Sequence, residues 1–203
     1  TRIATLVRGV RAEGSPVLLL DAGDAMQGSP LETVGRRGFT EGREPVMTAM
    51  TRLGYDAMAV GNHEFSFGPG ALGGARADAG FPWLAANIVR DDGTPAFDRS
   101  LVKTFGDLRV GIVGLCTEAV PSLEDSANHA GLRFLPAVAA ARDEVARLRG
   151  EGRCDAVVVL AHTGIGRAPR TGEARDGDGP AEDVGMRIAQ EVPGIDVVIL
   201  GHT

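Results

Sequence analysis

Aromatic residues are scarce in this chain: one Trp, one Tyr and seven Phe among 203 residues. Proteins that grip single-stranded nucleic acid stack successive bases on such rings, and few are on offer here. Positive charge is also in deficit. Lys and Arg number 21 against 27 Asp and Glu, a formal net charge of −6, so there is no basic footprint for a polyanionic backbone. A nucleic-acid polymer is therefore not an expected partner. A small anionic substrate would need local positive charge, and bound metal is one source of it. Cysteine is limited to Cys116 and Cys154. Two thiols make no disulfide framework, and each adjoins an apolar run, so both are expected to be buried and inert. No apolar run approaches the length of about 18 residues that marks a membrane-spanning helix.

What remains is an apolar fraction of 43%, a charged fraction of 24% and 29 glycines, a composition that suits one α/β domain with many tight turns. Apolar residues at helical spacing alternate along the chain with short continuous apolar runs. The segment 1–13 reads as a helix with Ile3, Leu6, Val7 and Val10 on one face, and Val17–Leu20 follows as a buried strand. Glu44–Leu53 leads into Ala57–Val60, Ala137–Arg149 into Ala156–Leu160, and Ala181–Glu191 into Val197–Leu200. Trp83–Ala86, Leu101–Phe105 and Val110–Leu115 read as further strands. Such alternation predicts sheets covered by helices. The segment Gly164–Gly179, rich in Arg, Gly, Pro and Asp, reads as an exposed loop.

The informative polar residues sit just after the apolar runs. Asp21 and Asp24 follow the first, Asn62, His63 and Glu64 the second, His162 the third and His202 the fourth. In open α/β sheets, ligands bind at the carboxyl ends of strands. Four strands would thus deliver oxygen and imidazole donors to one edge, a mixture suited to Mn, Fe, Zn or similar divalent ions. Singly, each has a plainer reading: Gly-Asp after a strand is usually a turn, and a strand-end His is usually a hydrogen-bonded structural residue. Three of the four histidines at strand ends is the stronger pattern; His129 is assigned to a loop.

Gly23-Asp24 with Gln27-Gly28-Ser29-Pro30, then Gly61-Asn62-His63-Glu64-Phe65, Ala161-His162 and Gly201-His202 together resemble the calcineurin-like metallophosphoesterase superfamily. Within it they are most similar to the 5′-nucleotidase family and its 2′,3′-cyclic-nucleotide 2′-phosphodiesterase/3′-nucleotidase branch. The resemblance implies a four-layer αββα sandwich of two mixed sheets flanked by helices. It implies two divalent ions (Mn, Zn, Fe, Co or similar), with Asp24 shared between them and Asn62, His162 and His202 completing one site. His63 would stand over the phosphate as the catalytic residue. Glu64, Asn87 and Asp21 are possible supporting residues, each with an alternative as a turn or strand-end cap, and Gln27 is given no chemistry. Two cations about 3.5–4 Å apart activate water and neutralise phosphoryl oxygens during in-line displacement. The implied activity is hydrolysis of nucleotide phosphoesters, outside the cytoplasm.

The chain departs from the pattern in two respects. The family's Asp-x-His pair and its ligand just after Gly-His-Thr do not occur in this sequence. The expectation is therefore a catalytic domain over residues 1–203, incomplete at both ends, inactive alone and separated from a C-terminal base-binding domain. Some members also carry Asp three residues after the catalytic His, whereas this chain has Ser66; a hydroxyl cannot support an imidazolium as a carboxylate does. Competing readings are a thiosulfohydrolase of the same superfamily and a non-catalytic metal-binding surface module.

Overall fold

The structure is a computed structural model describing residues 2–27, 44–151, 154–167, 171, 173 and 182–202. Gly28-Ser29-Pro30 and most of the 164–179 segment lie outside the described residues. Three short strands, β1 (Leu20–Asp21), β2 (Ala57–Ala59) and β3 (Trp83–Leu84), form a parallel sheet in that order. A small antiparallel ladder joins β4 (Ile88–Arg90) to β7 (Leu132–Phe134). The second large sheet contains β5 (Ser100–Phe105), β6 (Leu108–Cys116), β8 (Ala156–His162) and β9 (Val197–Leu200) in the order β5-β6-β8-β9. Its β5–β6 pair is antiparallel and the rest parallel. The four-stranded sheet is thus mixed, while the three-stranded sheet is parallel throughout its described strands.

Among the described residues the α-helices are α1 (Arg2–Ala12), α2 (Pro45–Leu53), α3 (Gly68–Asp78), α4 (Val120–Leu123), α5 (Ala137–Gly150) and α6 (Gly185–Glu191). Strand alternation sorts the core into three apolar seams, which define four layers. Met58 and Val60 face α2 and α3, joining Met47, Met50 and Ala75. Ala57 and Ala59 turn the other way and meet Ile112, Val158 and Leu160 between the sheets. Val113, Val157 and Val159 face Val138, Ala141, Val145 and Leu148 of α5, and Ile188 of α6. The order is helices, sheet, sheet, helices: an αββα sandwich. The two sheets approach closely at Gly114, where a Cβ would fall 2.2 Å from that of Leu84. Any side chain there would force the layers apart.

The element bounds differ from expectation for local reasons. Of the expected strand 17–20, only Leu20 joins the ladder; the Leu19 N–H is taken by the Asp56 side chain instead. α6 starts at Gly185, because the Glu182 carbonyl accepts from Thr163 Oγ1 and the Gly164 N–H, and the Val184 N–H donates to Thr163 Oγ1. Those groups are committed to the end of β8 and unavailable for a helix. α3 escapes a periodicity reading because Gly68, Pro69, Gly70, Gly73 and Gly74 leave it almost no apolar stripe. α1 forms as expected, but Leu6 stays 68% exposed and the helix has no buried residue. It is attached through Arg11, which donates to the carbonyls of Leu53 and Gly54 at the end of α2. Both cysteines are buried and neither forms a disulfide, and burial pushes the Cys116 thiol well up.

Candidate metal centre and active site

The parallel registers align the strand ends. β2 leads into Gly61-Asn62-His63-Glu64, β8 ends at His162, and β9 gives way to Gly201-His202. The two sheets thereby deliver their polar residues to one rim. His162 Nε2 lies 3.1 Å from Asp24 Oδ2, 3.2 Å from Asn62 Oδ1 and 3.1 Å from His202 Nδ1. Asp24, His162 and His202 present ligand atoms all within 4.8 Å of one another. The four side chains expected to share one cation are therefore brought together.

The surrounding hydrogen bonds fix which atoms face inward. His162 Nδ1 lies 2.7 Å from the Ala22 carbonyl oxygen, which can only accept, so Nδ1 carries the proton. The Nε2 of the neutral ring then presents a lone pair. On the other side of the cluster, His202 Nε2 lies 3.4 Å from Glu182 Oε2, leaving Nδ1 as its inward atom. With the rings neutral, imidazole lone pairs meet carboxylate and amide oxygens, acceptor against acceptor, and either a cation or a proton on Nε2 relieves the repulsion. A cation satisfies such a cluster, and the donor set fits a divalent ion. Burial raises Asp24, but His162 and the His63 N–H outweigh it and hold the carboxyl below its usual range. Burial lowers His162, but neighbouring Asp24 reverses this and raises it.

The backbone around Asp24 is pinned by Glu64, which is completely buried. Glu64 Oε2 accepts from the N–H groups of Asp24 (3.0 Å) and Gly61 (2.6 Å). Its Oε1 accepts from Ala25 (2.8 Å) and Met26 (3.2 Å). Burial pushes the Glu64 carboxyl up to about 7, although the Asp24 and Gly61 N–H groups pull it down. Asp24 Oδ1 in turn accepts from the His63 N–H at 3.0 Å. Only glycine fits at 61, where a Cβ would lie 2.3 Å from Asp24 Oδ1. Asp24 and His202 both adopt left-handed backbone, with φ of 63° and 64°.

Asp21 closes a turn, Oδ1 accepting from the Gly23 N–H at 3.0 Å, and burial raises its carboxyl. Asn87 directs its amide away from the cluster. Its Oδ1 accepts from the Cys116 N–H and its Nδ2 donates to the Cys116 and Leu135 carbonyls, so it clamps strand ends. His129 ends a 3₁₀ turn, Ser126–His129, with its ring edge-on to Phe134. His63 stands beside the cluster with its side chain 40% exposed, and its Nδ1 lies 3.2 Å from Ser66 Oγ. That hydroxyl also lies 2.8 Å from Gln27 Oε1 and 3.0 Å from Glu124 Oε1. Sequence reasoning missed Glu182 and Glu124. Each reaches the site from a distant segment, and no motif or periodicity singles either out.

Residues 1–203 match the family described as calcineurin-like phosphoesterase (Metallophos) from end to end. The chain belongs to this family. It is 37% identical to a snake venom 5′-nucleotidase from Gloydius brevicauda, the match covering 100% of this chain and 31% of that protein. It is 33% identical to a 2′,3′-cyclic-nucleotide 2′-phosphodiesterase/3′-nucleotidase from Salmonella typhimurium, covering 99% of this chain and 32% of the relative. The crystal structure of the calcineurin-like phosphoesterase YfkN from Bacillus subtilis superposes with a TM-score of 0.85 at 27% identity, covering 99% of this chain and 62% of that one. The chain spans about a third of the length of these curated relatives. Among the described residues, no helix is long and apolar enough to cross a membrane.

Proposed function

We propose that this calcineurin-like phosphoesterase domain hydrolyses nucleotide phosphoesters, as a 5′-nucleotidase or a 2′,3′-cyclic phosphodiesterase/3′-nucleotidase. The observation that carries the reading is the convergence of Asp24, Asn62, His162 and His202 on one point with their lone pairs inward. These four would hold one divalent cation, and Asp24 would be shared with a second. Bound there, divalent cations neutralise phosphoryl charge and make water an effective nucleophile at neutral pH. The protein's own share is positioning. Glu64 fixes the loop that aims Asp24, the Ala22 carbonyl fixes the His162 tautomer, and Glu182 backs His202. His63, half-exposed beside the cluster, protonates the leaving oxygen or donates a hydrogen bond to the phosphoryl group.

We further propose that residues 1–203 are the catalytic domain of a longer enzyme acting outside the cytoplasm. They would be inactive alone, with a further domain of the same chain completing the nucleotide site. The length and names of the relatives support this reading, the venom proteins above all. The test is full-length protein with Mn assayed on 2′,3′-cyclic AMP, 3′-AMP, 5′-AMP and a chromogenic phosphate bis-ester. His63→Asn is expected to lower turnover about 10²–10⁴-fold while metal content stays unchanged. Equal loss of both would count against the role of His63. Inactivity of the metal-loaded wild type on every ester would favour a binding module.

A further inference from the structure

The environment of His63 contains a carboxylate that the metal cluster does not use. Glu124 is the cap residue immediately after α4, and its side chain is only 9% exposed. A carboxylate at a helix C-terminus gains nothing from the backbone dipoles there, and a buried one needs donors. Its oxygen Oε1 lies 3.0 Å from Ser66 Oγ and 3.6 Å from His63 Nδ1. Both neighbours belong to the turn that carries the candidate catalytic ring.

Donor and acceptor identities give this arrangement a direction. The Ser66 hydroxyl has one proton, and two oxygens, those of Gln27 and Glu124, lie within reach of it. A carboxylate can only accept, whereas the Gln27 amide can turn its NH₂ toward Oγ. The Ser66 proton therefore goes to Glu124. The Oγ lone pairs then accept from the Gln27 amide and from His63 Nδ1–H. With Nδ1–H committed to Oγ, Nε2 is the ring atom left to serve a substrate, and it donates when the ring is protonated, the charged form that a carboxylate behind the ring supports.

We propose that Glu124 is a positioning residue for His63, acting through Ser66 Oγ to fix the ring's orientation and tautomer and to place negative charge behind it. This rests on the phosphohydrolase reading of His63. The relay runs His63 Nδ1–H to Ser66 Oγ, then Ser66 Oγ–H to Glu124, and moves no proton between residues.

Glu124→Gln tests it in the full-length, metal-loaded enzyme. The amide keeps size and shape but offers a donor as well as an acceptor, so the relay loses its fixed direction. The expected result is a fall in kcat of about 10–100-fold, with KM changed by less than about twofold and metal content unchanged. Adding Ser66→Asp in that background puts a carboxylate directly against Nδ1 and should recover most of the lost turnover. A residue that merely anchors the α4 loop would show no such rescue. Wild-type turnover in Glu124→Gln, or no rescue in a folded, metal-replete double variant, overturns the proposal. A second readout is independent of turnover: nitrogen NMR of the His63 ring in the zinc-loaded protein. The neutral wild-type ring should carry its proton on Nδ1, and Glu124→Gln should mix the tautomers; identical spectra would refute the relay. If the wild type hydrolyses none of the nucleotide esters, the enzymatic reading fails by itself, and the ring spectra still decide the role of Glu124.

Discussion

The two sheets contribute to the candidate centre in different ways. The three-stranded sheet supplies Asp24 and Asn62 on turns whose backbone is tied down, with four N–H groups converging on the buried carboxylate of Glu64. The four-stranded sheet supplies His162 and His202, whose rings are set by one acceptor each, the Ala22 carbonyl and Glu182. On the first side the main chain is fixed and the ligand follows. On the second side the strand end is already fixed by its ladder, and only ring rotation and tautomer need specifying. The centre is therefore held more strongly on one side than on the other.

Substitutions that attack each side separately would sharpen this contrast or break it. Glu64→Gln should have the largest effect. Its amide would point a donor at two of the four N–H groups, and leaving buried donors unmatched costs about 2–4 kcal/mol in all. Denaturant unfolding should register that loss, and metal affinity should fall about 100-fold as Asp24 loses its aim. Glu182→Gln should be milder, because its amide oxygen can still accept from His202. Metal affinity is expected to drop no more than about 10-fold, with stability nearly unchanged. A larger metal effect for Glu182→Gln than for Glu64→Gln would reverse the comparison.

The smallest effect is expected at a carboxylate remote from the centre. Glu144 on α5 is buried against Ser100 and Arg147, with Arg99 nearby. Burial raises its carboxyl, but those partners outweigh it and leave it below the ordinary value. A lowered folded-state pKa means that its stabilisation is present above the unfolded value of about 4.3 and is lost as pH falls through the folded one. Glu144→Gln should therefore cost about 1 kcal/mol at pH 7 and less in acid. Unfolding midpoints across pH 3–7 would check this, and metal affinity should not move.

The convergence of Asp24, Asn62, His162 and His202 was legible because each follows a short apolar run, and the strand-end position of the last three could be read from the sequence. Sheets covered by helices were legible for the same reason, since helical and strand periodicities alternate along the chain, whereas the four-layer order came from the family resemblance. The work of the supporting carboxylates was not legible, although Glu64 and Asp21 were singled out as candidates. Glu64 stands in the right motif, but nothing in Gly61-Asn62-His63-Glu64 says that its oxygens reach the backbone of residues 24–26. Glu124 lies 58 residues from Ser66, and Glu182 lies 20 residues before His202. Both act through packing that periodicity does not encode. α3 was hidden because its glycines erase the pattern that marks a helix.

The left-handed backbone at Asp24 and His202 sets stability against chemistry. Glycine would occupy those conformations without steric penalty, whereas a side chain is strained by about 1–3 kcal/mol. Selection for a sturdier molecule would favour glycine at both positions, whereas the proposed metal centre needs both side chains. On the proposed assignment, a glycine at either position in a related chain would mark a protein that has given up this metal centre and gained thermal tolerance.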